Sequence, residues 1–331
     1  MSRQPLRLAY VMDPLPGIAV DKDTTFAWLL EAQGRGHENY FIGPAGLSLW
    51  EGEARGLCAP LRVRRVAGAH FTLSDAQWLP LGSFDAVFMR KDPPIELEYL
   101  YATHLLSHVR APTLVFNDPH SLRECNEKLY ALRFPDLVPP TLVTRDLGQL
   151  RAFLRAQGGA AVLKPLHGSG GAGVFILRES DLNLGALLET ATQEGRRTVL
   201  MQRYLPEAVE GDKRVILIGG EPVGAVLRVP SGQGEHRGNL HVGGRGVRTT
   251  LSERERAACA SMKPALLRDG LHFVGLDFIG GWLTEVNVTS PTGLQEIAAL
   301  DGVHLEAAWL DYVEAQVAEA RRLAGGRSPR W

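Results

Sequence analysis

Two carboxylates and an amide interrupt a largely apolar stretch: Asp277, Glu285 and Asn287, within FVGLDFIGGWLTEVNVTSPTG at residues 273–293. Glu285 and Asn287 are two apart, and alternate side chains of a strand point the same way. Carboxylates and an amide beside a buried sheet suit Mg²⁺, which takes a few hard oxygen ligands and leaves the rest to water and phosphate. The stretch reads as two strands meeting at Gly280-Gly281. Whether Asp277 shares the face depends on the turn. A two-residue loop pairs Asp277 with Thr284, on the wrong side. A three-residue loop of Gly280, Gly281 and Trp282 pairs it with Glu285, and such loops are common in hairpins. We expect the three-residue loop. The flanking Val274, Leu276, Leu283, Val286 and Val288 read as buried, which sets this hairpin apart from one with a plain wet face.

A second feature is the glycine run HGSGGAG at residues 167–173, between the apolar segments LKP and VFIL. No Gly-Lys-Ser/Thr and no helix follow, so it is not a Walker loop. A strand, glycine loop and strand make a flap whose bare amides, at Gly168, Gly170 and Gly171, can close over phosphates. Lys164 stands just upstream to meet phosphate oxygens. Between flap and hairpin, residues 202–205 (Gln202, Arg203, Tyr204 and Leu205) could present backbone groups to an adenine edge. Asp212 could take ribose hydroxyls, and Arg214 would face phosphates. The alternative for this segment is a surface strand with solvated charges.

These residues need a frame. Strands are predicted over residues 6–12, 37–43, 84–90 and 114–117, and helices over 24–35 and 97–108. Asp118-Pro119 opens a further helix running to about Leu132, with an N-cap and proline at its first turn. Alternation of this kind makes a doubly wound parallel sheet, and no G-x-G-x-x-G follows the first strand. Beyond a proline-rich linker at 134–144, strands are predicted at 141–143, 161–165, 174–177, 199–203, 214–218 and 222–228. Helices are predicted at 147–157, 183–194, 251–269 and 305–323. The reading divides the chain into an N-terminal α/β domain (1–122) and a lid carrying the flap (123–204). A metal-bearing subdomain (205–324) and a disordered tail (325–331) follow.

Lys plus Arg number 36 against 37 Asp plus Glu. That balance argues against nucleic acid or an anionic membrane as partner. No apolar run reaches the ~20 residues of a membrane span, and the N-terminus reads as a first strand, not a signal peptide. Three widely spaced cysteines, Cys58, Cys125 and Cys259, fit a reducing cytoplasm without disulfides or zinc.

The order of Lys164, glycine flap, Gln-x-Tyr-Leu, Asp212-Lys213-Arg214, Asp277 and Glu285-Val286-Asn287 resembles the ATP-grasp superfamily. More narrowly, VMDP (11–14), MRKDPP (89–94), CNEKL (125–129), LKPL, GDKRV, RGN, GGRG and NVTSPTG resemble the bacterial glutathione synthetases, over nearly the whole chain. The resemblance implies an ATP-grasp fold of two α+β subdomains after the N-terminal domain, and a homo-oligomer, dimer or tetramer. It also implies ATP-dependent joining of γ-glutamylcysteine to glycine through an acyl phosphate, with two Mg²⁺ ions for which Mn²⁺ can substitute. Carried over by position, Lys128 and Lys164 would hold ATP phosphates, residues 202–205 adenine, and Asp212 ribose. Asp277, Glu285 and Asn287 would hold metal. Arg214 would bridge phosphate and developing acyl phosphate charge. Arg237, Asn239 and Arg245 would serve carboxylate recognition, Arg237 also the oxyanion, and Arg90 and Ser290 would complete the acceptor site. The pattern leads us to expect arginine where Gln295 stands, and small residues at His241-Val242. Two other readings are a ligase joining a different γ-glutamyl or peptide acid to another amine, and a silent ATP-binding regulator. The silent reading predicts a broken metal set, whereas Asp277, Glu285, Asn287 and Arg214 are all present.

Overall fold

The computed structural model describes residues 4–168, 171–230 and 244–325. The predicted tail from 326, Gly170 of the flap, and Arg237, Asn239 and His241 therefore lie outside the described residues.

The first sheet gathers β1 (Arg7–Met12), β2 (Glu38–Ile42), β3 (Leu47–Trp50), β4 (Glu53–Val63), β5 (Phe71–Leu73), β6 (Gln77–Pro80), β7 (Ala86–Arg90) and β8 (Leu114–Phe116). Its centre, β2-β1-β7-β8, is parallel as expected. β3 to β6, in a stretch without a predicted element, extend it antiparallel from the β2 edge, so the sheet is mixed. Both faces are covered. On β1, Leu8, Tyr10 and Met12 enter one core while Ala9 and Val11 enter the other, the two-residue alternation of a sheet packed on both sides. Helices α1 (Thr24–Gly34), capped by Asp23, and α2 (Leu97–Leu106) follow β1 and β7. Helix α3 (Pro119–Glu124) starts on the Asp118 cap as predicted but stops at Glu124, well short of Leu132. Asn126 Oδ1 accepts the amides of Lys128 and Leu129, both at 3.1 Å. That local turn competes with helix continuation.

The second sheet, β11-β10-β12-β9, joins β9 (Thr141–Thr144), β10 (Ala160–Pro165), β11 (Phe175–Arg178) and β12 (Val199–Arg203). Helices α4 (Leu147–Ala156) and α5 (Leu184–Thr192) close its core. That core runs from Leu150 to Met201 and shares no residue with the other two.

The third sheet, β15-β14-β13-β16-β17, comprises β13 (Asp212–Ile218), β14 (Glu221–Val229), β15 (Arg245–Arg248), β16 (Phe273–Ile279) and β17 (Trp282–Asn287). Helix α6 (Glu253–Arg268) begins with a reciprocal capping box between Ser252 and Glu255. An unpredicted short helix, α7 (Leu294–Asp301), precedes α8 (Leu305–Gly325). Among the described residues, no helix is long and apolar enough to cross a membrane.

First and third sheets are fused. Val215, Leu217, Val274 and Leu276 share one core with Val11 and Met89, and Trp309 and Phe273 share the other with Tyr10 and Phe88. Asn117, just after β8, stitches the seam. Its amide nitrogen donates to the carbonyls of Phe273 (2.9 Å) and Val288 (2.8 Å), and its oxygen accepts the amides of His272 (2.8 Å) and Phe273 (3.0 Å). Asn117→Ala should cost about 2–4 kcal/mol, because buried backbone groups lose partners that no neighbour replaces. Urea midpoints measure this, and a loss below ~0.5 kcal/mol would mean that water satisfies the seam.

Candidate active site

The β16–β17 hairpin turns in two residues. Ile279 pairs with Trp282, and Gly280 and Gly281 occupy the turn at φ +56° and +76°, values that suit glycine in a two-residue hairpin loop. The expected three-residue loop is therefore wrong. Even so, Asp277 faces Glu285, because the register shifts between Asp277 and Phe278 and leaves Thr284 as the extra residue. A β-bulge of this kind re-aims every side chain beyond it. Leu283 and Val286 both join the core, while Asp277, Glu285 and Asn287 line one cavity of about 860 Å³.

That cavity lies between the second and third sheets, with Asp92 and Pro93 of the N-terminal domain at its rim. Its floor is a charge network. Arg214 on β13 grips Asp277 through Nε (2.5 Å) and Nη2 (2.9 Å), and donates through Nη1 to the Thr292 carbonyl (3.0 Å). Arg214 lies flat here because β16 carries Gly275: a Cβ there would come within 3.1 Å of Arg214 Cδ and 2.9 Å of the Pro291 side chain. Arg228 on β14 bridges Asp277 Oδ2 (2.9 Å) and the Asp212 carboxylate. Asn287 Nδ2 donates to Asp277 Oδ2 (3.1 Å) and the Gly275 carbonyl (3.2 Å). Burial alone would raise the Asp277 carboxyl, but Arg214 and Arg228 outweigh it and hold the group well below the carboxylate range.

Two lysines complete the cationic lining. Lys128 Nζ pairs with Glu285 Oε1 (3.1 Å) and reaches the Gly168 carbonyl (3.4 Å). Burial opposes its charge, but Glu285 prevails and raises its pKa. Lys164 Nζ donates to Gln202 Oε1 (3.1 Å), and Gln202 Nε2 in turn donates to Thr141 Oγ1 (2.9 Å). Burial lowers the Lys164 pKa, with Glu285 opposing. Glu127, beside Lys128, also lines the cavity and accepts from Thr289 Oγ1 (2.9 Å). Burial, reinforced by Glu285, raises its carboxyl.

Thus Lys128, Lys164, Gly168, Gly171, Gln202, Arg203, Tyr204, Leu205, Asp212, Arg214, Ser290, Asp277, Glu285 and Asn287 share the cavity wall. Among the described residues, two predicted ones do not. Arg245 is exposed at the start of β15, on the edge of the third sheet. Arg90 is only 5 % exposed: its Nε donates to Thr25 Oγ1 (2.9 Å), its Nη2 to the Pro291 carbonyl (3.3 Å), and its guanidinium lies 4.5 Å over the Trp28 ring. Burial pulls its pKa down to about 10, with Asp23 opposing, so it stays charged at neutral pH and braces the loop after Ser290. Gln295 is also off the cavity wall, its amide donating to the Val20 and Asp23 carbonyls and accepting from Arg65 (2.8 Å). Glu127, Arg228 and Thr289 went unread in the sequence. A charge facing Asp212 across the β13–β14 hairpin was the available signal for Arg228. All three cysteines are buried and free, their thiols pushed up to about 11 for Cys58 and Cys125 and about 12 for Cys259, so no thiolate nucleophile is present among them at neutral pH.

Residues 6–123 match the family of the prokaryotic glutathione synthetase N-terminal domain, and residues 127–302 that of the prokaryotic glutathione synthetase ATP-grasp domain. The glutathione synthetase of Xanthomonas campestris pv. campestris is 49% identical over 316 residues, covering 95% of this chain and 99% of that protein. That of Synechocystis sp. is 47% identical over 322 residues, covering 94% and 100%. The crystal structure of the D-cycloserine synthetase DcsG superposes with a TM-score of 0.64 at 18% identity, covering 94% of this chain and 99% of that one. The ATP-grasp ligase PsnB, solved with a precursor variant, Mg and ADP, gives 0.59 at 19% identity, covering 95% and 99%; at such identities the likeness is one of fold. With both family domains matched in order along nearly all of its length, the chain belongs to the prokaryotic glutathione synthetase family and is an ATP-dependent carboxylate–amine ligase.

Proposed function

We propose that the protein makes glutathione from γ-glutamylcysteine, glycine and ATP. The C-terminal carboxylate of γ-glutamylcysteine attacks the γ-phosphorus and releases ADP. The glycine nitrogen, as the free amine after losing a proton to water, then attacks the acyl carbon and expels phosphate, its second proton leaving with the phosphate or to water. The observation that carries this reading is the gathering of Lys128, Lys164, Arg214 and Arg228 with the Asp277–Glu285–Asn287 face in one cavity. Phosphoryl transfer needs positioned cations more than covalent help from the protein. In this reading Lys128 and Lys164 hold phosphates, Gln202, Arg203, Tyr204 and Leu205 hold adenine, and Asp212 takes ribose. Arg214 and Arg228 meet the transferring phosphoryl. Arg237, Asn239 and Arg245 are proposed for the dipeptide carboxylates, with Ser290 beside the amine and Arg90 acting through the loop it braces.

The donor set fits Mg²⁺. Asp277 is kept ionised, and Glu285 and Asn287 add oxygens on the same face. Among the described residues, no group of three or more His, Cys, Asp or Glu is placed to hold a metal ion; Mg²⁺ commonly completes its shell with water and nucleotide phosphates. When bound, Mg²⁺, as two ions in our reading and replaceable by Mn²⁺, supplies neutralisation of phosphate charge.

The test measures ADP and phosphate release with Mg-ATP, γ-glutamylcysteine and a panel of amines, then with glycine and a panel of γ-glutamyl acids. Preference for γ-glutamylcysteine and glycine is expected. A stronger preference for another acid or amine would replace this reading with the broader ligase one.

A further inference from the structure

The mechanism above leaves the Glu127 carboxylate of the cavity wall unused. Glu127 is anchored on both sides of the metal hairpin's end: its carbonyl accepts the Val286 amide (2.9 Å) and its Oε1 accepts the Thr289 hydroxyl (2.9 Å). Among the described residues the second carboxylate oxygen has no hydrogen-bond partner, and the side chain lines the cavity. Neighbouring cations are committed elsewhere, Lys128 to Glu285 and Arg214 to Asp277. Among the described residues, no basic side chain pairs with Glu127. A part-buried carboxylate without a counter-ion is costly and calls for a cationic ligand.

We propose that Glu127 receives the ammonium group of the incoming amine. This rests on the reading that an ATP-activated carboxylate is condensed with glycine. Charge complementarity and position select the occupant. Two substrate groups arrive as ammonium, that of the amine and the α-ammonium of the γ-glutamyl end. The latter lies at the far end of the dipeptide from the reacting carboxylate, whereas Glu127 stands beside Lys128 and Arg214, where the phosphoryl group is proposed to transfer. Thr289 fixes the carboxylate rotamer and leaves one oxygen for the ligand. Thr289 also abuts Ser290, so the amine would enter beside the loop that Arg90 braces.

The experiment compares two nucleophiles, glycine and hydroxylamine, the second being uncharged at neutral pH. Wild type is assayed first. No turnover with γ-glutamylcysteine and either nucleophile would sink the reading of the reaction and, with it, this assignment. Given wild-type turnover, Glu127→Gln, which keeps the acceptor for Thr289, should raise the glycine KM roughly 10- to 150-fold, the worth of a charge-assisted hydrogen bond. Turnover with hydroxylamine, and the KM values for ATP and dipeptide, should stay within about threefold. Glu127→Asp should fall between. Equal loss with both nucleophiles, an unchanged glycine KM, or a raised Mg²⁺ requirement would each overturn the assignment while leaving the ligase reading intact.

Discussion

Glu285→Ala should lower kcat by about 10²–10³-fold, the scale for deleting one preorganised electrostatic group from a transition state. Two effects combine. The proposed metal face loses one of its two carboxylates. Lys128, whose side chain is 6% exposed, also loses its partner at 3.1 Å, so burial then depresses the lysine's affinity for its proton. Glu285→Gln separates size from charge and should be nearly as damaging, since an amide neither neutralises Lys128 nor matches a carboxylate as ligand. The readout is kcat at saturating Mg-ATP with an Mg²⁺ titration, alongside a denaturation curve. Activity within a few-fold of wild type and an unaltered Mg²⁺ response would remove Glu285 from the metal face.

Asp277→Asn should destabilise the chain by about 3–5 kcal/mol at pH 7, the cost of breaking a buried ion pair from one side. Arg214 and Arg228 would both be left without their shared carboxylate. The pH dependence has a definite sign. The folded Asp277 carboxyl sits below its ordinary 3.8. Its contribution is therefore complete above about pH 4 and is lost as pH falls through the depressed folded value. The gap between wild type and Asp277→Asn should be flat from pH 7 to 5 and narrow below 4. Urea midpoints across that range provide the check. A gap that shrinks already between pH 7 and 5 would mean that another group carries the stabilisation.

The hairpin carrying both residues tells how far sequence reasoning reached. Side-chain types and the glycine pair located the turn and its cavity-facing oxygens. The register was harder, because loop length alone was used to choose between Thr284 and Glu285 as the partner of Asp277. Leu283 and Val286, three apart, cannot both face the core of a regular strand, and that broken parity was the trace of the bulge. The helix expected to run from Pro119 toward Leu132 failed for a related reason. Local propensity favoured continuation, whereas Asn126 turns the chain and so brings Glu127 and Lys128 to the cavity. β3 to β6 were illegible because their faces are only half-covered: Trp50 and Trp78 stand exposed, which blurs the alternation that marks a strand. Arg228 needed the β13–β14 register before its partners, Asp212 and Asp277, could be named.

The self-contained core of the second sheet has a thermodynamic corollary. Its apolar cluster, Leu150 to Met201, is sealed by its own two helices, and polar links such as Asn126 to the Leu166 carbonyl (3.0 Å) and Lys128 to the Gly168 carbonyl tie it to the rest. Displacing this unit as a body uncovers no aliphatic cluster, so the accompanying heat-capacity change is small. Melting it is a separate event. Its amides exchange through a sub-global opening whose free energy is set by its own core, while the fused clusters of the first and third sheets carry the global value. A nucleotide bound between them engages both units and, by mass action, draws the two transitions into one.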